Sequence, residues 1–388
     1  MMKIRSVNNI SDLGLSLLKG TFDITEATDA SVHGIVLRSH KLPPEEMGEN
    51  LLAVARAGAG VNNIQVDLCT QRGIAVFNTP GANANAVKEL VIAGLLMSSR
   101  KINEGAVALQ QLSDKSEVAK KAEKIKAEYG GPEILGKTLG IVGLGAIGSL
   151  VAQAALGMGM KVVGYDPYLS VANAWRIPNQ AELAGSLDAL LAKADYLTLH
   201  VPAVRETTDM VNAALIAKMK PGVRILNFAR GEIVKNADLL AAIESGKVAY
   251  YLTDFAEEVL MGKRNVLCLP HLGASTPEAE DNCAIMACEE IRDYLQAGTV
   301  LNAVNLPSAD LPRKSASLTR IAVVHKNVPK MIMHITDLIG AASLNIADMV
   351  SSSRGEMAYT LLDTNAAPSG ELLAKMKGID GIVRVRVI

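Results

Sequence analysis

At roughly 150 residues per domain, a chain of 388 residues suits two or three domains and excludes a single small module. Hydrophobic residues at 49% and charged ones at 20% supply ample core material and exclude disorder on a large scale. With 39 basic against 40 acidic side chains, a net charge of −1 and only 3% aromatic residues, there is no basic field or stacking surface for nucleic acid, which is not an expected partner.

Residues 1 to about 95 alternate short apolar runs (IRSV, GIVLRS, LLAVARAG, GIAVFNTP) with polar connectors such as LPPEEMGENL, the pattern of a parallel sheet covered by helices. The stretch VKELVIAGLLMSSRK (87–101) has helical periodicity, and the charged stretch DKSEVAKKAEKIKAEYGG follows, closed by two glycines. Next, KTLGIVGLGAIGSLVAQAALGMGMKVVGYDPY reads as strand, glycine turn, helix and strand, one βαβ unit. DYLTLHVP, VRILNFAR, VAYYLTDF and NVLCLPHLG continue its sheet to about residue 273, with helices such as NADLLAAIESG between them. A long amphipathic helix spans 277–297, acidic in its first turn and followed by Gly298.

Proline and small polar residues mark 306–317 as a linker, and 318–388 reads as βαββαβ. The predicted fold class is α/β, with two Rossmann/flavodoxin-like parallel-sheet lobes and a small ferredoxin-like C-terminal domain. Residues 1–97 with 277–305 form one lobe, 98–276 the other, and 318–388 the third domain. No apolar run approaches the ~18 residues of a membrane span, and no basic stretch with a long apolar segment opens the chain, so no membrane is expected and a cytoplasmic protein is. Cys69, Cys268, Cys283 and Cys288 show no paired spacing, as in a reducing compartment. Cys268 and His271 form C-x-x-H without a second ligand pair, so no metal is expected.

Gly143, Gly145 and Gly148 spell G-x-G-x-x-G after an apolar strand and at a helix start, where a tight turn, close backbone approach and the helix N-terminus together suit a pyrophosphate. Asp166 ends the next strand, at the distance where a carboxylate accepts from ribose hydroxyls. That carboxylate repels a 2′-phosphate, and Tyr165, Pro167 and Tyr168 offer no cation to hold one, so NAD is the expected cofactor.

A dehydrogenase of 2-hydroxy acids needs a cation for the carboxylate and a base for the hydroxyl proton. Arg230 follows VRILNFA and has the planar fork a carboxylate clamp requires, and His271 ends NVLCLP before a small-residue turn that exposes an imidazole. Glu257 and Glu258, just after VAYYLTDF, both stand as carboxylates to orient it.

The residues ARAGAGVNNI (55–64), FNTPGANANAVKEL (77–90), GKTLGIVGLGAIG (136–148), YDP (165–167), HVP (200–202), MKPGVRILNFARGEIV (219–234), TDF (253–255) and PHLGASTPEAEDN (270–282), in this order, resemble the D-isomer-specific 2-hydroxyacid dehydrogenase family. The resemblance covers nearly the whole chain and is strongest to members that oxidise D-3-phosphoglycerate to 3-phosphohydroxypyruvate, the first step of serine biosynthesis. It implies a catalytic set of Arg230, Glu258 and His271, with Glu257 competing for the glutamate's place because DFAEEVL departs from the family pattern. It places NAD against Gly143, Gly145, Ala146, Ile147, Gly148, Asp166, Pro202, Thr207, Phe228, Ala229, Asp254 and Gly273, and leaves His200 a structural role. Substrate would meet Gly60, Val61 and Asn83, with Arg38 on the phosphate and His40, Lys41 and Arg56 as further cations nearby.

The last domain resembles an ACT domain, which implies L-serine as effector through His325, Asn327 and Asn345, or a purely oligomerising module, since Lys330 replaces a glycine of the effector motif. A homo-oligomer, dimer or tetramer, is expected. Two other readings stay open: reduction of another small 2-keto acid such as hydroxypyruvate or glyoxylate, and a non-catalytic NAD-sensing protein of the same fold.

Overall fold

The computed structural model describes residues 1–388, the side chain of residue 172 excepted. Its contacts divide the chain into two compact units, 1–83 with 280–388 and 84–279.

The first unit opens with five parallel strands, β1 (Lys3–Val7), β2 (Asp23–Thr25), β3 (Val32–Leu37), β4 (Ala53–Arg56) and β5 (Ala75–Asn78), ordered β2-β1-β3-β4-β5. This is the flavodoxin-like order, and its central strands are buried on both faces, as parallel strands under helices must be. The helix Pro277–Ala297 lies on one face, and Gly34 lets it close in, because a Cβ there would stand 2.7 Å from Ile291 Cδ1.

The second unit carries seven parallel strands, β6 (Thr138–Val142), β7 (Lys161–Tyr165), β8 (Glu182–Leu183), β9 (Tyr196–Leu199), β10 (Val223–Asn227), β11 (Val248–Thr253) and β12 (Val266–Cys268). Their order, β12-β11-β10-β9-β6-β7-β8, reverses direction between β6 and β9, and ligands of such sheets bind outside the carboxyl ends at that switch point. One register row crosses six of the strands at those ends: Tyr165, Val142, Leu199, Asn227, Thr253 and Cys268.

Boundaries at 83/84 and 279/280 differ from the expected 97/98 and 276/277. The helix Ala84–Ser99 buries Val87, Val91 and Leu95 in the same cluster as Leu139, Ile141 and Leu226, so packing assigns it to the second unit.

The C-terminal segment forms β13 (Thr319–Lys326), helix Met331–Ala341, β14 (Ile346–Arg354), β15 (Met357–Thr364), helix Gly370–Lys377 and β16 (Ile382–Val387), an antiparallel sheet ordered β14-β15-β13-β16. Alternation divides its faces. Ile321, Val323 and Leu362 meet the helices, whereas Ala322, Val324, Tyr359 and Leu361 join the cluster of Phe77, Ile291 and Tyr294. It is therefore part of the first unit and not a separate body. Arg320, fully buried, forks onto Asp363 with two 2.7 Å bonds and caps the long helix by donating to Ala297 O at 2.9 Å. Arg386 stacks over the Tyr294 ring at 4.2 Å. The start of the expected linker is also core: Leu306, Ala309 and Leu311 are buried, and Val300 pairs with Ala309. None of the helices is long and apolar enough to cross a membrane among the described residues.

Glu290, on the long helix, accepts from Asn302 Nδ2 at 2.7 Å through Oε1, while its buried Oε2 has no partner, and burial pushes its carboxyl up to about 8. A raised folded-state value means that the carboxyl contributes stability below its ordinary value near 4.5 and loses it as pH rises toward 8. Glu290→Gln, which cannot ionise, is expected to change melting temperature little at pH 5 and to raise it by several degrees over wild type at pH 8.5, read by paired thermal melts.

Candidate active site

The chemistry of the second unit lies just past the register row. Gly143 follows β6 at φ +94°, and a Cβ on it would stand 2.4 Å from His200 O, so only glycine closes this turn. A Cβ on Gly148 would overlap Gly143 O at 2.0 Å, whereas one on Gly145 would meet nothing within 4 Å. The turn is thus closed on its protein side and open at Gly145, where the helix Ala146–Gly157 presents the unpaired N–H groups of its first turn, including those of Ala146 and Ile147. Asp166, one residue past β7, accepts from Leu144 N and Tyr168 N at 2.9 Å each, one bond per carboxylate oxygen, which fixes its orientation beside the glycine turn.

Asp254, one residue past β11, is buried and accepts from Gly273 N at 3.0 Å through Oδ2. Its Oδ1 is buried without a partner, and desolvation raises its pKa while His271 and the Gly273 amide oppose the rise. A buried acceptor lacking a donor fits an amide N–H₂ such as the nicotinamide carboxamide, and with the open face at Gly145 and the held carboxylate of Asp166 the residues present fit NAD.

Thr207 Oγ1 donates to Pro202 O at 2.5 Å and accepts from Val204 N at 2.9 Å, which shapes the turn after β9. His200 is neutral, held down to about 3 by burial, with Nε2 3.0 Å from Thr198 Oγ1. Phe228 packs in the core.

Arg230 stands three residues past the row on β10 and His271 three past it on β12, with one strand between, roughly 10 Å apart across the sheet at the row. Arg230 is half-buried, and its Nη1 donates to Ala229 O at 2.7 Å. His271 is exposed, with its ring 4.7 Å from that of Phe255. The structure does not bring Glu258 to His271: among the described residues no ion pair joins this histidine to a carboxylate, and both glutamates are exposed on the turn after Phe255. Glu257 Oε1 turns toward Gly231 instead, 3.3 Å from where a Cβ would stand. The carboxylate that feels the charge of His271 is Asp254.

Asn227 escapes the sequence reading. Fully buried at the end of β10, it accepts from Ala229 N at 3.1 Å and Arg230 N at 3.4 Å and donates to Arg230 O at 2.8 Å and Tyr251 Oη at 3.3 Å. Thr253 Oγ1 donates to Asn227 O at 2.8 Å and accepts from Phe255 N at 3.1 Å, tying the Arg230 turn to the Phe255 turn.

In the first unit, Arg38 lies one residue past β3 and pairs through Nη1 with Glu280 Oε1 at 2.7 Å. Arg56 Nε donates to Arg38 O at 2.9 Å and its Nη1 to Gly60 O, while Asn78 Nδ2 donates to Ala59 O at 2.5 Å, so these side chains hold the loop of Gly60 and Val61. His40 is 3.0 Å from Glu46, which Arg5 also binds at 2.6 Å, away from any role beside Arg38. Lys41 is exposed, and Asn83 sits half-buried before the helix Ala84–Ser99.

The expected effector residues do not converge within one chain. His325 is buried, which pushes its imidazole below the ordinary range, with Nε2 2.8 Å from Thr360 Oγ1 and Nδ1 2.9 Å from Lys326 O. Asn327 donates to Gly355 O at 3.2 Å beyond the end of β14, whereas Asn345 precedes its start, so this nine-residue strand separates them by roughly 30 Å. Lys330, at φ +68°, precedes the helix Met331–Ala341.

The D-isomer specific 2-hydroxyacid dehydrogenase NAD binding domain matches residues 92–273. A D-3-phosphoglycerate dehydrogenase of Haemophilus influenzae is 32% identical over 371 residues, 92% of this chain and 87% of that protein. The chain belongs to the D-isomer specific 2-hydroxyacid dehydrogenases. It is also 36% identical over 326 residues to a D-3-phosphoglycerate dehydrogenase of Synechocystis, covering 79% of this chain and 56% of that longer protein. Among solved structures, NAD-bound 3-phosphoglycerate dehydrogenase of Entamoeba histolytica superposes with a TM-score of 0.61 at 27% identity, over 78% of this chain and 98% of that one.

Asn227 is the side chain that ties the Arg230 turn to the end of β10. Asn227→Ala is expected to lower kcat/KM by roughly 100-fold, the cost of an Å-scale misplacement, read by steady-state kinetics with thermal melts to show that the variant is folded.

Proposed function

We propose that the protein oxidises D-3-phosphoglycerate to 3-phosphohydroxypyruvate as an NAD-dependent dehydrogenase, the reaction that opens serine biosynthesis. The observation that carries this reading is the placement of Arg230, Asp254 and His271 just past the ends of three adjacent strands in the unit that also holds the glycine turn. The phosphoglycerate dehydrogenases among its relatives support the choice of substrate.

In this reading Arg230 clamps the substrate carboxylate with its planar fork. Bound NAD supplies the acceptor for the hydride that leaves C2. The hydroxyl proton passes to an imidazole nitrogen of His271 as the C–O bond becomes a carbonyl, and the Phe255 ring holds that imidazole from one side. Asp254 Oδ1, buried without a partner, would accept from the carboxamide N–H₂ of the bound cofactor and so help to orient it. Glu258 is assigned to supporting His271 through a side-chain rearrangement, since the exposed turn that carries it leaves it free of the imidazole here. In the first unit, the loop of Gly60 and Val61 with Asn83 is assigned to substrate and Arg38 to its phosphate. An L-serine site that uses both Asn327 and Asn345 needs a second copy of the chain, which links the expected effector to the expected homo-oligomer; the cytoplasm is the compartment this reaction implies.

Two variants test the reading. His271→Ala is expected to lower kcat roughly 100-fold and to flatten the acidic limb of the pH-rate profile; a retained limb would remove the histidine from the role. Arg38→Ala is expected to raise KM for D-3-phosphoglycerate selectively, with D-glycerate as comparison, and an equal loss for both acids would remove the phosphate from this arginine.

A further inference from the structure

Arg38 is not a bare cation. Its guanidinium meets Glu280 at 2.7 Å, with the arginine side chain 34% and the glutamate 45% exposed. The neighbouring groups are committed otherwise: Arg56 donates to the carbonyls of Arg38 and Gly60, and His40 and Arg5 share Glu46. Glu280 rides on the first turns of the helix Pro277–Ala297, whose contacts with β3 keep the carboxylate beside the end of the strand that delivers Arg38. The pair is solvated, so its bond is weak and exchangeable, unlike the buried fork of Arg320 on Asp363.

We propose that Glu280 is a specificity-determining residue that competes with the substrate phosphate for Arg38 and so sets the margin between phosphorylated and unphosphorylated acids. This rests on the assignment of Arg38 to the phosphate. A dianionic phosphate must displace the carboxylate from the guanidinium and then sit near a like charge, and both effects weaken its binding. An acid that carries a hydroxyl in place of the phosphate makes no demand on Arg38 and is indifferent to Glu280. The carboxylate thereby lowers the preference for phosphorylated substrate below what Arg38 alone would give.

The test uses the full chain at saturating NAD and reads the ratio of KM for D-glycerate to KM for D-3-phosphoglycerate. Glu280→Gln keeps shape and a hydrogen-bond acceptor while removing the charge, and the ratio is expected to rise roughly threefold to tenfold. In an Arg38→Ala background the same substitution is expected to move the ratio much less, and thermal melts confirm that each variant is folded. If Arg38→Ala is selective for the phosphorylated acid but Glu280→Gln leaves the ratio unchanged or lowers it, Glu280 does not compete and this proposal alone is overturned. If Arg38→Ala affects both acids alike, the phosphate assignment fails and the proposal falls with it.

Discussion

Six parallel strands of the second unit end in one transverse row, Tyr165, Val142, Leu199, Asn227, Thr253 and Cys268. A parallel sheet buried on both faces leaves little room along its strands for polar side chains that must meet a ligand, so chemistry collects where the strands stop and the backbone turns out of the sheet. Each candidate group is a short step beyond the row: Gly143, Asp166 and Asp254 at one residue, Arg230 and His271 at three. Hydrogen bonding between the strands fixes this spacing, and Asn227 with Thr253 extends that control into the turns. The site is precise because the sheet is rigid.

The same logic holds on a smaller scale in the first unit. Leu37, Arg56 and Asn78 are in register at the ends of β3, β4 and β5, and the side chains of the last two hold the loop that follows β4. The C-terminal sheet is bound to this unit through its inner face and through Arg320, whose charge is satisfied by Asp363 and the helix-end carbonyl at Ala297. Helices cover one face of that sheet and the first unit's core the other, so the sheet packs directly against the long helix that carries Glu280.

Much of this was legible in the chain. Strand and helix periods gave both parallel sheets and the βαββαβ segment, and the glycine spacing with Asp166 gave the dinucleotide turn, because these patterns are local. What resisted reading depended on side-chain partners distant in sequence. The helix 84–99 belongs with the second unit because Val91 and Leu95 meet Leu139 and Leu226, and the stretch around Leu306 and Ala309 looks like linker but is core. His325 reads as a ligand-facing polar residue, yet Thr360 satisfies it inside the sheet. Asn227 was invisible for the opposite reason: nothing in an amide at a strand end announces four hydrogen bonds.

NADH formation by purified protein offered D-3-phosphoglycerate, D-glycerate, D-lactate and 2-hydroxyglutarate at matched concentration is the decisive measurement. Selective turnover of D-3-phosphoglycerate is expected. Turnover confined to an unphosphorylated acid, or tight NADH binding with no turnover of any of them, would contradict it.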